Sequence, residues 1–220
     1  MSEGAKLRVG VLVSGGGTNL QALIDACAMP GFPAEIAVVV SNVPTAPALD
    51  RAKKAGLATV VVEHQAVAGR DAFDAKLVAE LEAHRAAAVC LAGFMRILGP
   101  GFLRKFPGKV LNIHPALLPS FPGLHGARQA LSYGAKLAGC TVHFVDEGTD
   151  TGPIIAQAAV PVLPGDDEAA LAARILVEEH RLFPLALRLL AEGRLRVEGR
   201  RVLADGAPVA EGLSLRNPGR

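Results

Sequence analysis

Tryptophan is absent from the 220 residues, tyrosine occurs once and cysteine three times. Each scarcity excludes something. A surface that stacks nucleobases needs aromatic side chains interleaved with a basic stripe. Here the formal net charge is only +2 and the lysines and arginines are scattered, so no nucleic-acid partner is expected. Cys27, Cys90 and Cys140 are odd in number and far apart, which suits neither a disulfide framework nor a metal knuckle and fits a reducing cytoplasm. Long apolar runs are lacking too. The longest, Ala86 to Met95, falls far short of the ~20 residues that span a bilayer. Ser14-Gly15-Gly16-Gly17 breaks the first apolar stretch before a signal h-region can form, so no membrane association is expected.

What remains is a chain that is 50% hydrophobic and 20% charged, the balance of one globular domain over residues 1–220. Leu7 to Val13 is a continuous apolar run with one early charge, Arg8, and reads as a buried parallel strand. Further strands are expected at 36–40, 59–62, 87–92 and 110–113, with helical spacing at 18–27, 46–55 and 72–84 between them. This alternation predicts an α/β fold of Rossmann-like, three-layer form with a mostly parallel twisted sheet. A short helix is expected at 129–133. Segments 139–145 and 153–162 read as an antiparallel pair at the C-terminal edge of the sheet. A long helix over 167–183 should be kinked or interrupted by Pro184, followed by a small hairpin at 194–204 and a loose tail beyond Asp205.

Three segments carry chemistry. Asn112 and His114 stand two apart at the end of the apolar run Val110-Leu111, so their side chains point to one face of a strand where a proline-rich loop begins. Ser14-Gly15-Gly16-Gly17-Thr18-Asn19 joins the first strand to a helix. Read alone, it is either a tight turn that uses glycine for geometry or an anion cradle of free N–H groups. It lacks the Gly-Lys-Ser/Thr ending of a Walker A loop. Leu20 stands where a dinucleotide fingerprint needs its third glycine, and the second strand ends in Ser41-Asn42 rather than an acid. A nicotinamide oxidoreductase is therefore disfavoured and a monophosphate site left standing. The third segment, 146–153, is an acidic turn read alone.

Asn112-Ile-His114, the loop Pro119-Ser-Phe-Pro-Gly-Leu-His125, Gly93-Phe94-Met95-Arg96-Ile97-Leu98 and Asp150-Thr-Gly-Pro153 together resemble the 10-formyltetrahydrofolate-dependent formyltransferases. Residues 119–125 look like the branch that acts on glycinamide ribonucleotide (GAR). The resemblance runs over about residues 7–202. It implies a phosphate-binding half at about 1–100 and a folate and catalytic half at about 101–205. It implies that Gly17, Thr18, Asn19 and Glu179 hold GAR. Arg70, Met95, Arg96, Ile97, Leu98, Asn112, Asp146 and Asp150 would line the folate, and Asn112, His114 and Asp150 would catalyse. A cis bond at Leu118-Pro119 is implied as well.

The implied co-substrate is 10-formyltetrahydrofolate, with no metal and no covalent intermediate, in a monomer or homodimer. The reaction needs a proton-transfer group, for which imidazole suits. It needs a carboxylate to favour the charged ring and an amide to stabilise an oxyanion. A transfer-RNA formyltransferase would carry a further RNA-binding domain and a formyltetrahydrofolate hydrolase a regulatory one, and neither is expected here. A non-catalytic nucleotide-binding module would have no use for all of Asn112, His114 and Asp150.

Overall fold

The computed structural model describes residues 5–205, so the tail expected to be loose lies outside the described residues. The chain runs β1 (Leu7–Val13), α1 (Thr18–Ala28), β2 (Ala34–Ser41), α2 (Pro47–Lys54) and β3 (Thr59–Val61). A 3₁₀ turn (His64–Ala66) leads to α3 (Arg70–Ala83), β4 (Ala88–Leu91), α4 (Pro100–Lys105) and β5 (Val110–His114). Then follow α5 (Gly126–Tyr133), β6 (Leu137–Phe144), β7 (Ile154–Pro161), α6 (Glu168–Ala191), β8 (Leu195–Glu198) and β9 (Arg201–Ala204).

Among the described residues the strands form one nine-stranded sheet in the order β3-β2-β1-β4-β5-β6-β7-β9-β8. β3 to β5 are parallel, while β6 pairs antiparallel with β5 and β7. The expected antiparallel pair is thus present, but it is not outermost. The β8–β9 hairpin extends the same sheet beyond β7, through Ile154 opposite Arg201.

Alternation along β1 sorts the core into two layers. Val9, Val11 and Val13 face α1 and α6 through Leu20, Leu23, Ile175, Phe183 and Leu187. Leu12 faces the other way, into a cluster with Leu77, Leu81, Phe102 and Phe106 of α3 and the α4 region. Helices therefore cover both faces, and two sheet-end loops meet where chain order reverses, between β1 and β4. In open α/β sheets that reversal leaves a crevice at the carboxyl ends of the strands, where ligands bind.

Two elements differ from the sequence reading. The six-residue α4 is too short to show an apolar period and is set by Pro100 in its first turn. Helix α6 continues through Pro184 to Ala191 instead of breaking there. An interior proline costs about 3 kcal/mol, whereas fully burying a Phe or Leu contributes about 1.5–3 kcal/mol each. Phe183 just before the proline and Ala186 and Leu187 beyond it are all fully buried, so packing outweighs the lost hydrogen bond. No helix among the described residues is long and apolar enough to cross a membrane.

Candidate active site

The crevice is built from four sheet-end segments. At the end of β1, Gly17 takes the left-handed conformation (φ 72°), and a Cβ there would lie 2.6 Å from that of Ala48. No side chain caps α1 at this residue, which leaves the first N–H groups of the helix facing outwards. The loop is braced from behind: Arg51 Nε donates to the Gly16 carbonyl at 2.9 Å and the Ala48 N–H to Gly15 at 3.1 Å. Asn19 Nδ2 donates to Glu179 Oε2 at 2.7 Å, across from α6. Burial pushes the Glu179 carboxyl above the ordinary range, a rise that the Asn19 bond partly offsets. Gly17, Thr18, Asn19 and Glu179 are therefore together, joined by a contact over 160 residues of sequence.

After β4, Met95 (63% exposed) and Ile97 (60% exposed) form an apolar lip with Arg96 exposed between them, while Leu98 is packed into the core. Arg70 opens α3 beside the far end of this segment, where a Cβ on Gly99 would sit 3.3 Å from Arg70 Nε and 2.9 Å from Asp74 Oδ2.

The polar centre lies between β5 and β6. Asn112 pairs with His143 and His114 with Thr141 across the two strands, which collects four polar side chains on one face. Asn112 Nδ2 is 3.1 Å from His143 Nε2. His143 Nδ1 lies 2.8 Å from the Phe144 carbonyl, which can only accept, so this nitrogen carries the proton and Nε2 accepts from Asn112 in the neutral ring. His114 is 4% exposed. Its Nε2 donates to the Phe121 carbonyl at 2.9 Å and its Nδ1 lies 3.4 Å from Asp150 Oδ2. Both ring nitrogens thus face acceptors.

Asp150 is held at φ 55° and accepts the Gly123 N–H at 2.8 Å. Its other oxygen is 3.7 Å from His143 Nε2, an ion-pair distance rather than a hydrogen bond. Burial pushes the Asp150 carboxyl up, but His143, the Gly123 N–H and the His114 charge together outweigh it and hold the group below its usual value. Asp146 braces the same loop, accepting from Thr151 Oγ1 at 2.6 Å and the Gly148 N–H at 3.1 Å. Gly152 allows the Phe144 carbonyl to approach where a Cβ would stand. Leu118-Pro119 is cis.

Asn112, His114 and Asp150 therefore surround one centre. Sequence reading missed His143, which shares it. The available signal was the alternation Thr141-x-His143 before the acidic loop, but only the β5–β6 register sets His143 opposite Asn112. The backbone of the 119–125 loop was missed as well, although it engages both His114 and Asp150. The three cysteines are free, and burial drives their thiols upward, Cys27 to about 11 and Cys140 to about 12, so none offers an activated thiolate. Among the described residues no group of three or more His, Cys, Asp or Glu side chains is arranged to hold a metal ion.

A glycine turn at a helix start and a buried histidine–carboxylate pair beside a strand-end asparagine thus lie along one edge of an α/β sheet, and the chain belongs to the formyl transferase family, whose model matches residues 7–187. It is 44% identical over 200 residues to the phosphoribosylglycinamide formyltransferase of Escherichia coli K12, covering 91% of this chain and 94% of that one. It is 54% identical over 191 residues to the trifunctional purine biosynthetic protein adenosine-3 of Drosophila pseudoobscura pseudoobscura. That match covers 86% of this chain but only 14% of the relative, so the chain spans a small part of the trifunctional proteins. The crystal structure of glycinamide ribonucleotide transformylase 1 from Symbiobacterium toebii is 52% identical, with a TM-score of 0.90 over 93% of this chain and 95% of that one.

Proposed function

We propose that the chain transfers the formyl group of 10-formyltetrahydrofolate to the primary amine of 5′-phosphoribosylglycinamide, giving the N-formyl product and tetrahydrofolate, in de novo purine synthesis. The observation that carries this reading is the meeting of an uncapped helix N-terminus, an exposed apolar lip and the Asn112–His114–Asp150 centre along one sheet edge. The names of two bacterial relatives, both phosphoribosylglycinamide formyltransferase, support the acceptor and the group transferred. The free cysteines suit a cytoplasmic setting.

The GAR phosphate binds the N–H groups at Gly17, Thr18 and Asn19, where the helix dipole favours an anion. Glu179 meets the ribose. The folate ring lies along Met95 to Leu98, with Arg70 and Asp146 on its flanks. The neutral amine attacks the formyl carbon, and the carbonyl electron pair moves onto oxygen. Asn112 has two amide hydrogens; one is held by His143, so the other is oriented toward that oxyanion, a contribution of about 3 kcal/mol in comparable sites. His114 takes a proton from the attacking nitrogen and supplies one to N10 as the carbon–N10 bond breaks. Asp150 holds the charged ring between these steps. For the first transfer the neutral ring carries its proton on Nδ1, which faces Asp150 at 3.4 Å, so that Nε2 leaves the Phe121 carbonyl and takes the proton of the substrate nitrogen.

A spectroscopic assay of tetrahydrofolate release, run with and without GAR, tests the reading. Release is expected only with GAR; equal release without it would assign a formyltetrahydrofolate hydrolase instead.

Glu179→Gln gives a separate check. Because burial raises the Glu179 carboxyl, its charged form costs stability, a cost that grows as pH rises through the folded-state value and is absent below the unfolded one. The variant keeps an acceptor for Asn19 but carries no charge. Its Tm should exceed that of the parent at pH 8 and the gap should shrink in acid, while KM for GAR rises and kcat changes little. Melting curves at several pH values with steady-state kinetics decide it, and a lower Tm at pH 8 would remove the buried-charge argument.

A further inference from the structure

The apolar lip has no regular secondary structure, yet its two ends are fixed by side chains from other elements. At one end the Met95 N–H donates to Ser14 Oγ at 2.8 Å. At the other the Gly99 N–H donates to the carboxylate of Asp74 at 2.6 Å. The two fasteners differ in what stands behind them. Asp74 lies on α3, 4% exposed, with one carboxylate oxygen buried and unpartnered, so it ties the lip to the body of the fold. Ser14 is the first residue after β1 and begins the phosphate loop.

Ser14 makes three bonds to two neighbouring strand ends. Its backbone N–H donates to the Gly93 carbonyl at 3.1 Å. Its hydroxyl donates to Asn42 Oδ1 at 2.6 Å, just beyond β2, while accepting from Met95 just beyond β4. A hydroxyl has one hydrogen to give, and Asn42 takes it, so the lone pairs of Ser14 are aimed at the lip. Asn42 is 5% exposed and has little freedom to turn away. Ser14 therefore ties together the ends of β2 and β4, the two neighbours of its own strand, beside the point where sheet order reverses. Three residues later the chain reaches Gly17, where the loop turns left-handed to present its N–H groups.

We propose that Ser14 is a positioning residue that couples the two substrate sites, its hydroxyl transmitting the ordering of the phosphate loop to the folate lip. An anion on the Gly17–Asn19 N–H groups fixes the loop. The fixed loop holds Ser14, and Ser14 holds the Met95 amide in the conformation that receives the folate. Because coupling is a shared free energy, each substrate must tighten the other by one common factor. The Asp74 fastener supports the lip without touching the phosphate loop, so it contributes to folate affinity but not to that factor. This inference rests on the substrates proposed above.

The test is the dissociation constant of tetrahydrofolate, measured by calorimetry with and without saturating GAR, and of GAR with and without saturating tetrahydrofolate. In the parent protein both ratios should agree and reach about tenfold, within the range usual for coupled sites. Ser14→Ala should bring both ratios to within twofold of one. Its KM for the folate should rise about fivefold, the scale of one neutral hydrogen bond, with kcat nearly unchanged. Ser14→Thr, which restores the hydroxyl, should recover the ratio. Asp74→Asn should weaken tetrahydrofolate alone and leave the ratio in place. If Ser14→Ala melts below the assay temperature, Ser14→Cys keeps the size, withdraws the strong acceptor and reads the same quantity. A parent ratio of one, or an unchanged ratio in Ser14→Ala or Ser14→Cys, overturns the coupling. GAR-dependent tetrahydrofolate release is followed in the same samples. Its absence in the parent overturns the functional reading, whereas intact release with an unchanged ratio overturns the coupling alone.

Discussion

His114→Asn is expected to lower kcat about 10³-fold while KM for both substrates stays within a few-fold. Positioned proton transfer contributes typically ~10²–10⁴-fold, and in the proposed mechanism one imidazole serves both the attacking and the departing nitrogen. The substitution is chosen to spare the fold. His114 is buried, and its Nε2–H is one of the bonds holding the 119–125 loop through the Phe121 carbonyl. An asparagine amide offers that carbonyl an N–H but cannot shuttle a proton near neutral pH. Steady-state kinetics with a melting curve separate the two effects. A loss below tenfold in a well-folded variant would take His114 out of the proton path.

Asp150→Asn carries the second large effect, a fall in kcat of about 10²-fold or more. The carboxylate lies 3.4 Å from Nδ1, and in the proposed mechanism it holds the charged ring between the two proton transfers, which a neutral amide does not do. The backbone at 150 has φ 55°, a conformation that asparagine tolerates, and the amide oxygen can still accept the Gly123 N–H. Loss of activity would therefore not be a loss of fold. A stability signature should accompany it. The Asp150 carboxyl is held below its usual value, so the ionised group contributes stability fully above the unfolded-state pKa of about 3.9. That contribution disappears as pH falls through the lower folded-state value. The variant should melt earlier than the parent at neutral pH, and the two curves should converge in acid. A kcat within tenfold of the parent would leave Asp150 a loop anchor rather than the partner of His114.

Much of this site was legible from residues because its signals are local. Asn112 and His114 share a face for the reason that any two strand residues two apart do, and β5 ends at His114. Gly17 sits in a loop where only a residue without a Cβ fits against Ala48. The roles of Asp150 and Glu179 were of another kind. Nothing in composition or spacing separates Asp150 from an ordinary acidic turn, or Glu179 from an exposed helix charge, and only the family resemblance singled them out. Glu179 is in fact 6% exposed, bonded to a residue at the other end of the chain.

The errors have the same physical root. Pro184 is a strong local signal against helix, but the apolar residues around it are buried by partners whose identity depends on the whole topology. Helix α4 gives no periodic signal in six residues. His143 is an unremarked strand histidine until β6 turns back on β5 in one register, and a shift by one residue would put it on the opposite face.

By itself the sequence determined the alternation of strands and helices, the glycine turn after β1, the convergence of Asn112 with His114, and the absence of stacking aromatics. These depend on backbone periodicity and on chemistry within a few residues. The tertiary structure alone decided the β5–β6 register that adds His143. It alone brought Asp150 against both histidines, tied Asn19 to Glu179, and hung Met95 on Ser14. Each of those contacts joins segments far apart in the chain, and pairing register and loop closure are set by burial summed over the whole sheet, which no local pattern encodes.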